Sequence, residues 1–222
     1  MKPLWVIAFT GITTLFSCAQ NNNQNKKMNT TDQSAIKATA FTGKTDTATL
    51  GTGCFWCTEA IFEQLDGVIS VTSGYSGGNV DNPSYEQVSD HGTGHAECVQ
   101  VIYDPSKITF DELLEVFWKV HDPTTLNRQG ADVGPQYRSV VFYHNEEQKQ
   151  KTEKYKAELD KSGAFNNPIV TTLESFSKFY SAEDYHQDYY EQNKNKNPYC
   201  SIVIRPKLEK FEKVFKNKLK KH

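Results

Sequence analysis

The residue best placed for chemistry is Cys54, which lies where one hydrophobic pattern ends and another begins. The run Ala48–Leu50 before it is typical of a strand end. Residues 59–65 after it have helical spacing, with Ile61, Phe62 and Leu65 on one face. A thiol at a helix N-terminus lies among unpaired backbone N–H groups, which favour the thiolate. The pattern therefore predicts a nucleophilic cysteine, with Phe55 and Trp56 either walling a small apolar pocket or belonging to the core.

Three different kinds of chemistry can use the cysteines of this region. Cys54 and Cys57 form a Cys-x-x-Cys pair at a helix start, as in thiol–disulfide exchange. The same pair with His95 and Cys98 has the ligand types of a structural zinc site, although strand alternation turns Cys98 away from the face that carries Glu97. The third reaction uses one nucleophilic thiol assisted by a carboxylic acid elsewhere. A binding protein without catalysis would leave these clusters unexplained.

The composition favours one soluble globular domain. The chain has 222 residues, enough for one domain with a substantial core but crowded for two. Its formal net charge is −2, with 23% charged residues, so a nucleic-acid partner is not indicated. Apart from Cys18, the chain has four cysteines, which are too sparse for a small disulfide-stapled scaffold, so redox chemistry explains them better.

The N-terminus has the pattern of an export signal. Lys2 precedes the apolar run Leu4–Phe16, which is too short for a comfortable membrane span, and small Ser17 precedes Cys18. The four residues that end at Cys18 are similar to the lipobox of bacterial lipoproteins. We therefore expect a signal peptide over residues 1–17, lipid on Cys18, and an exported protein anchored to a membrane of the cell envelope, facing the periplasm if the source is Gram-negative. An ordinary cleaved signal peptide is the alternative.

The rest of the chain divides into a tether, a domain and a final helix. Residues 18–45 have too few apolar side chains to build a core, so we expect a tether. Strand and helix patterns alternate over 46–206, which predicts a catalytic domain of the α/β (α+β) class, with helices packed on a mixed sheet. Residues 207–222 are amphipathic and rich in lysine. A helix docked on the domain is favoured there over one that touches an anionic membrane.

Local signals predict where the elements lie. Thr109 and Glu112 have capping-box spacing, which predicts a helix over 110–120, and the polar stretch 121–137 reads as a long functional loop. The predicted strands are Val68–Tyr75, Glu97–Tyr103, Arg138–Tyr143 and Ile169–Leu173. The other predicted helices run from the Cys54 turn to about Asp66, from Asn145 to about Lys161, from Ser181 to Tyr190, and from Pro206 to Lys221 with Leu208, Phe211, Val214, Phe215 and Leu219 on one face.

Several separate motifs occur in a fixed order along the chain. They are Gly53-Cys54-Phe55-Trp56, Tyr85-Glu86-Gln87-Val88, Gly94-His95-Ala96-Glu97, His121-Asp122-Pro123-Thr124, Asn127-Arg128-Gln129-Gly130, Asp132-Val133-Gly134-Pro135-Gln136-Tyr137-Arg138-Ser139 and Tyr185-His186-Gln187-Asp188-Tyr189. Together they resemble the A-type peptide methionine sulfoxide reductases, over about residues 46–206. The resemblance implies a single catalytic domain of that family's ferredoxin-like type. It ranks disulfide exchange by Cys57 as secondary, because only part of the family has this second cysteine.

The resemblance implies a reaction between a thiolate and a sulfoxide. Cys54 is expected to attack the sulfur while Glu97, as general acid, delivers a proton to the oxygen. Methionine then leaves and Cys54 becomes a sulfenic acid. Glu97 stays protonated near neutral pH only if it is buried, because burial raises the pKa of a carboxyl group. Its place on the same strand face as Val99 and Val101 agrees with that.

The resemblance also implies roles for residues around the sulfoxide. Tyr85 and Tyr137 are similar to two phenols that hydrogen-bond its oxygen, and Asp132 to an acid that orders the site with them. Phe55 and Trp56 match the positions that hold the methyl group of the substrate. His186 matches a position that borders the pocket. For His186 a purely structural role is an equal alternative.

Recycling of the sulfenic acid implies a second thiol and an external reductant. Thioredoxin or a thioredoxin-like domain is the expected partner, dithiothreitol a substitute in the assay, and no metal or organic cofactor is implied. Cys200 resembles the family's C-terminal recycling cysteine and follows the polar break 193–197, which we expect to be mobile, so Cys200 is expected to resolve Cys54. Cys57 is nearer and is the runner-up. Strand parity makes Cys98 an inert buried thiol.

Overall fold

The computed structural model describes residues 43–221, and one mixed six-stranded sheet organises them. In sequence order its strands are β1 (Asp46–Thr52), β2 (Val68–Ser76), β3 (Ala96–Tyr103), β6 (Ser139–Tyr143), β7 (Thr172–Ser175) and β8 (Phe179–Ser181). In space the order is β7-β6-β1-β3-β2-β8, antiparallel except for the parallel pair β6 and β7. The predicted mixed sheet of an α/β domain is confirmed. The predictions for Cys18 and for the segments that end before residue 43 lie outside the described residues.

Six helices and one small hairpin complete the described domain. The helices are α1 (Phe55–Phe62), α2 (Tyr85–Ser89), α3 (Phe110–Val120), α4 (Glu146–Ser162), α5 (Tyr189–Asn193) and α6 (Arg205–Phe215). The predicted loop 121–137 contains the hairpin, made of β4 (Arg128–Gln129) and β5 (Asp132–Val133), followed by a short 3₁₀ turn at Pro135–Tyr137. A wide helical turn at Cys200–Ile204 leads directly into α6.

Two helices begin where the sequence predicts, and each has a side-chain cap. The Thr109 hydroxyl accepts a hydrogen bond from the Glu112 N–H, and the Glu112 carboxylate accepts one from the Thr109 N–H, so both partners of the capping box are present at α3. The side chain of Asn145 accepts a hydrogen bond from the Gln148 N–H at the start of α4. Such caps satisfy donors that the first helical turn leaves unpaired.

The two faces of the central strand β3 lead into different clusters. Val99, Val101 and Tyr103 belong to the main core, which α1, α3 and α6 also line. Cys98 points the other way, into a small cluster with Ala96, Val140 and Phe142. The alternation predicted from the sequence is confirmed, and it separates the environment of Glu97 from that of Cys98.

Three predicted elements are wrong in extent or type, because pairing with distant strands overrides the local pattern. The helix predicted to reach Asp66 ends at Phe62, and Leu65 instead bridges to Leu219. The strand predicted at Ile169–Leu173 lies at Thr172–Ser175, where it pairs with β6. The helix predicted over Ser181–Tyr190 is replaced by the end of β8, a 3₁₀ turn at Asp184–His186 and the short α5. Asp188 adopts a positive φ of 51° between that turn and α5.

The C-terminal helix packs into the same core as the sheet. Leu208, Phe211 and Phe215 are buried in the main cluster, which confirms a docked helix. Val214, predicted on the same apolar face, is 54% exposed. Because α6 starts at Arg205 and shares the core, the predicted division between residues 206 and 207 does not separate two packed units. Within residues 43–221 no helix is both long and apolar enough to cross a bilayer.

Candidate active site

Cys54 is held at a sharp turn between β1 and α1. Gly53 before it has a φ of 101°, and a Cβ there would lie 2.6 Å from Cβ of Gln129, so both conformation and space favour glycine. Cys54 is the N-cap of α1, and its carbonyl accepts hydrogen bonds from the N–H groups of Cys57 and Thr58. The strand–turn–helix arrangement predicted for this cysteine is confirmed.

Glu97 lies directly against the start of α1. Its side chain is 1% exposed, and its Oε2 accepts a hydrogen bond of 3.1 Å from the Phe55 N–H. Burial raises the pKa of Glu97 to about 8, and the nearby Asp132 and Cys57 charges add to this, while the Phe55 N–H offsets part of it. The carboxyl group is therefore mostly protonated at neutral pH, and it can donate a proton.

The two thiols of the Cys-x-x-Cys pair have different electrostatic surroundings. Burial raises the pKa of the Cys54 thiol well above its ordinary value, and the adjacent Cys57 and Glu97 raise it further. The pKa of Cys57 is lowered, first by interaction with the Cys54 thiol and then by the Lys207 ammonium. The Lys207 ammonium therefore favours negative charge on Cys57, while burial opposes negative charge on Cys54. The helix N-terminus alone does not decide which thiol ionises, because Cys54 is also desolvated.

The two aromatic residues after Cys54 have different surroundings. Phe55 is 1% exposed and packs on Tyr75 and His186, so it is a core residue at the floor of the site. Trp56 is half-buried and stacks on Tyr189, with ring centroids 3.7 Å apart and planes 7° from parallel. Of the pair, only Trp56 keeps part of its side chain accessible beside Cys54.

His186 lies at the centre of this aromatic group. Its Nδ1 accepts a hydrogen bond of 3.1 Å from Nε1 of Trp56, and its ring centroid is 4.5 Å from that of Tyr85. The ring is 2% exposed, its Nε2 has no hydrogen-bond partner among the described residues, and burial lowers its pKa. A neutral imidazole therefore fixes the orientation of Trp56. His186 occupies a 3₁₀ turn instead of the predicted helix.

Both predicted phenols lie near enough to Glu97 for its charge to act on them. Tyr85 and Tyr137 are half-buried, burial raises the pKa of each, and the Glu97 charge is the next cause for both. Both phenols therefore remain protonated donors beside Glu97. Glu183, which the sequence did not single out, accepts hydrogen bonds from the Tyr85 N–H at 2.9 Å and the Tyr75 hydroxyl at 3.1 Å.

Asp132 reaches the site through a residue that the sequence analysis missed. Its Oδ2 accepts a hydrogen bond of 2.8 Å from the Tyr199 hydroxyl. The Tyr199 ring meets Trp56 edge to face at 5.8 Å, and burial together with the Cys54 and Cys57 charges raises the pKa of Tyr199. The motif that contains Asp132 is 67 residues away in sequence, so no local signal identifies this partner.

The four described cysteines are all free and buried. Cys98 lies in the small apolar cluster on the far side of β3, and burial raises its pKa. Cys200 is fully buried in the wide turn before α6, and Cys57 is close enough that its charge helps to raise the pKa of Cys200. Tyr199 and Cys200 pack against the site, and the mobility predicted for the polar break 193–197 stays a prediction.

His95 was considered as a zinc ligand because of its spacing, but both of its ring nitrogens contact backbone groups. Its Nδ1 accepts a hydrogen bond of 3.0 Å from the Gly78 N–H, and its Nε2 lies 2.8 Å from the Val80 carbonyl oxygen. Within residues 43–221 no group of three or more His, Cys, Asp or Glu side chains is arranged to hold a metal ion.

The arrangement brings a cysteine, a protonated carboxyl group and two phenols together at the start of one helix. A thiol supplies electrons, and the acid and phenols supply protons and hydrogen bonds to a leaving oxygen. Fold and site together define the class: a mixed α/β oxidoreductase that works through cysteine chemistry.

Comparison with known proteins gives the family. The family model described as peptide methionine sulfoxide reductase matches residues 46–219. A peptide methionine sulfoxide reductase MsrA of Saccharolobus solfataricus is 55% identical over 177 residues, which is 80% of this chain and 98% of that protein. A second, MsrA 1 of Rhodopirellula baltica, is 55% identical over 79% of this chain and 90% of its own length. This chain belongs to the peptide methionine sulfoxide reductase family.

Solved structures agree with the sequence comparison. Reduced Mxr1 from Saccharomyces cerevisiae is 38% identical, with a TM-score of 0.65 over 69% of this chain and 88% of that one. Methionine sulfoxide reductase A of Corynebacterium diphtheriae is 34% identical, with a TM-score of 0.62 over 72% of this chain and 80% of that one. The curled mixed sheet with packed helices is therefore the fold of this family. The matched region extends to residue 219, so it includes α6.

Proposed function

We propose that this enzyme reduces the S epimer of methionine sulfoxide, free and in proteins, to methionine, and so repairs oxidised proteins. The observation that carries the proposal is the contact of the Glu97 carboxyl group with the Phe55 N–H, one residue after Cys54. This contact supports the pairing of a protonated acid with a nucleophilic sulfur, which the reduction of a sulfoxide needs because an unprotonated oxide is a poor leaving group.

In the first step the sulfur of Cys54 attacks the sulfoxide sulfur as a thiolate. Glu97 delivers its proton to the sulfoxide oxygen, methionine leaves, and the oxygen remains on Cys54 as a sulfenic acid. Because the pKa of Cys54 is raised in the empty site, its proton must leave as the substrate binds. That proton balances the one that Glu97 gives to the sulfoxide oxygen, so a thiol and a sulfoxide become a sulfenic acid and methionine with no net uptake of acid.

The proposed substrate contacts follow from the positions of the aromatic groups. Tyr85 and Tyr137 donate hydrogen bonds to the sulfoxide oxygen, since both phenols are protonated and lie near Glu97. Asp132 accepts a hydrogen bond from Tyr199 and so fixes the Tyr199 ring, which packs edge to face against Trp56. Trp56 contacts the methyl group of the substrate. His186 supports this contact through its hydrogen bond to Trp56, and Phe55 packs against His186.

The proposed cycle ends in a disulfide that thioredoxin or a thioredoxin-like domain reduces. Cys200 is the thiol at which this disulfide forms, because it is free and lies close to Cys57, which is beside Cys54. Cys200 must become accessible for an external protein to reach it, since it is fully buried in the reduced state. Opening of the turn at residues 200–204 would provide that access.

A two-substrate assay tests the proposed activity. Each epimer of an N-acetylated methionine sulfoxide is offered with dithiothreitol, and methionine formation is followed. Turnover of the S epimer and not of the R epimer is the expected result. Reduction of insulin disulfides without turnover of either epimer would instead identify a thiol–disulfide exchange enzyme.

We further propose that the protein is exported and held at a membrane of the cell envelope by lipid on Cys18. The support is the sequence of residues 2–18, with one lysine, an apolar run, and a serine before the cysteine. In cells, Cys18→Ala is expected to move the protein from the detergent-extractable membrane fraction to a soluble or uncleaved form. An unchanged lipidated product in the membrane fraction would exclude Cys18 as the anchor.

A further inference from the structure

The ammonium group of Lys207 lies close to the thiol of Cys57. Its Nζ lies 3.8 Å from Sγ of Cys57. Lys207 is half-buried near the start of α6, Cys57 is 4% exposed in α1, and these two helices pack against each other. The lysine charge also helps to lower the pKa of the fully buried His121, so it acts on the interior of the domain.

Helix stability does not explain this lysine. A positive charge gains from the helix dipole near the C-terminal end of a helix, and Lys207 is two turns away from the end of α6 at Phe215. Lys207 lies in the first turn of α6, and that turn contains no acidic residue. None of the ion pairs within residues 43–221 includes Lys207. The Cys57 sulfur is its side-chain hydrogen-bond partner in this part of the chain.

We propose that Lys207 is a positioning residue that holds Cys57 as a thiolate, and that this thiolate is the first to attack the sulfenic acid of Cys54. The inference rests on the proposed function, which supplies the sulfenic acid. In the attack an S–S bond forms between Cys57 and Cys54, and the S–O bond of Cys54 breaks. The leaving hydroxide takes up one proton, equivalent to the one that Cys57 lost on forming its thiolate, so a thiol and a sulfenic acid become one disulfide and one water.

The surroundings of Cys57 agree with a stabilised anion. The groups that act on it from the neighbouring elements are Cys54 of α1, Glu97 of β3, Asp132 of the hairpin, Tyr199 and Cys200 of the turn before α6, and Lys207. The Cys54 thiol, Lys207 and Tyr199 favour the thiolate, while burial and the Asp132 carboxylate oppose it. Lys207 is the one cation among these groups, so its removal should raise the pKa of Cys57 and reduce the fraction of thiolate.

The inference also orders the two candidate resolving cysteines. Cys57 follows Cys54 within one helical turn, whereas Cys200 approaches the pair from the side of Cys57. A thiolate of Cys200 can then attack the Cys57 sulfur of the first disulfide, and Cys54 leaves as a thiolate. The result is a Cys57–Cys200 disulfide and a reduced Cys54, ready for the next sulfoxide.

Single-turnover kinetics of the full-length protein test the proposal. The reduced enzyme, freed of reductant, is mixed with one equivalent of an N-acetylated methionine S-sulfoxide and quenched at short times. Methionine reports the first step, dimedone labelling reports the sulfenic acid, and mass spectrometry of alkylated peptides identifies the first disulfide. The variants are Lys207→Met, Lys207→Arg and Cys57→Ser, with Lys210→Gln as a matched control on the same helix, since Lys210 is exposed.

For Lys207→Met we expect disulfide formation at pH 7 to slow by about tenfold or more, because the thiolate is the nucleophile, and dimedone-reactive Cys54 to accumulate. Methionine formation should slow much less. The deficit should shrink as the pH rises towards about 9, where a thiol with an ordinary pKa ionises without help. Lys207→Arg should restore most of the rate, Lys210→Gln should behave as wild type, and Cys54–Cys57 should be the first wild-type disulfide.

Three results would overturn the proposal. Equal slowing of both steps in Lys207→Met, or a deficit independent of pH, would mean that Lys207 merely supports the fold. A first disulfide between Cys54 and Cys200 that forms at the wild-type rate in Cys57→Ser would exclude Cys57 as the attacking thiol. Absence of methionine in the wild type is a different result, because it would reject the proposed function itself. If Lys207→Met does not fold, Lys207→Gln and Cys57→Ser provide the same comparisons.

Discussion

The two faces of β3 bury neighbouring residues in the same strand and give them opposite properties. On one face Glu97 meets the start of α1, where an N–H group, two thiols and two phenols surround it. On the other face Cys98 meets Ala96, Val140 and Phe142, and burial is the main cause that raises its pKa. Burial therefore does not make a site by itself. Glu97 can take part in a reaction because its buried face also contains groups that exchange protons. The small apolar cluster around Cys98 contains no such group, so this thiol is inert.

The largest expected effect separates the thiols of the two faces. Cys54→Ser should lower turnover of methionine S-sulfoxide by at least about 10⁴-fold, because an alcohol is a far weaker nucleophile than a thiolate. Cys98→Ala should keep activity close to wild type. Circular dichroism of both variants checks that they fold. Appreciable turnover by Cys54→Ser would remove the nucleophile assignment.

The next effect concerns the acid on the active face. Glu97→Gln keeps the shape of the side chain and can still accept from the Phe55 N–H, but it cannot donate a proton to a leaving oxygen. We expect kcat to fall by about 10²–10⁴-fold, the usual contribution of a general acid. The measurement is the first-turnover rate of methionine formation. A change confined to KM would show that Glu97 binds the substrate and does not protonate it.

A smaller effect is expected for the hydrogen bond between Tyr199 and Asp132. Tyr199→Phe removes a bond of 2.8 Å but keeps the ring edge against Trp56. Loss of one buried bond to a charged group is worth about 1.5–3 kcal/mol, so kcat/KM should fall by about tenfold to a hundredfold. Tyr189→Phe is the control, since its ring keeps the stacking on Trp56. Equal losses in both variants would attribute the effect to packing.

The two faces should also differ in how stability depends on pH. Glu97 binds its proton more tightly when folded, so the free energy of unfolding should fall as the pH rises from about 4.5 to about 8. Each unit of pKa difference corresponds to about 1.4 kcal/mol. Glu97→Gln removes this share of the slope, so its stability relative to wild type should increase over that interval. Urea unfolding of both proteins at several pH values measures the difference. Parallel curves would mean that Glu97 is ionised in the folded state.

The smallest expected effect lies in the apolar cluster. Cys98→Ala removes one buried sulfur and should lower the free energy of unfolding by about 1–2 kcal/mol, because of the lost contacts and the small cavity. The same urea experiment measures it. This loss should be independent of pH between 5 and 8, in contrast to the Glu97 variant. A loss of activity in a folded Cys98→Ala protein would show that the two faces are coupled.

The sequence by itself determined the elements whose signals are local. The glycine before Cys54, the caps of α3 and α4, and the alternation that separates Glu97 from Cys98 each depend on residues within a few positions of one another. The motif pattern added the family, and with it the expected roles of Tyr85 and Asp132. The predicted helix over Ser181–Tyr190 failed because the strand pairing that replaces it lies more than a hundred residues away.

Only the tertiary structure decided the charges of the site. Tyr199 reaches Asp132 across 67 residues, and Lys207 reaches Cys57 across 150. The raised pKa values of Glu97 and Cys54 and the lowered pKa of Cys57 follow from burial, from the neighbouring thiol and from distant partners. A pattern of residue types identifies which groups can react. Protonation, however, depends on desolvation and on charges within a few ångströms, and those are set when distant segments of the chain pack together.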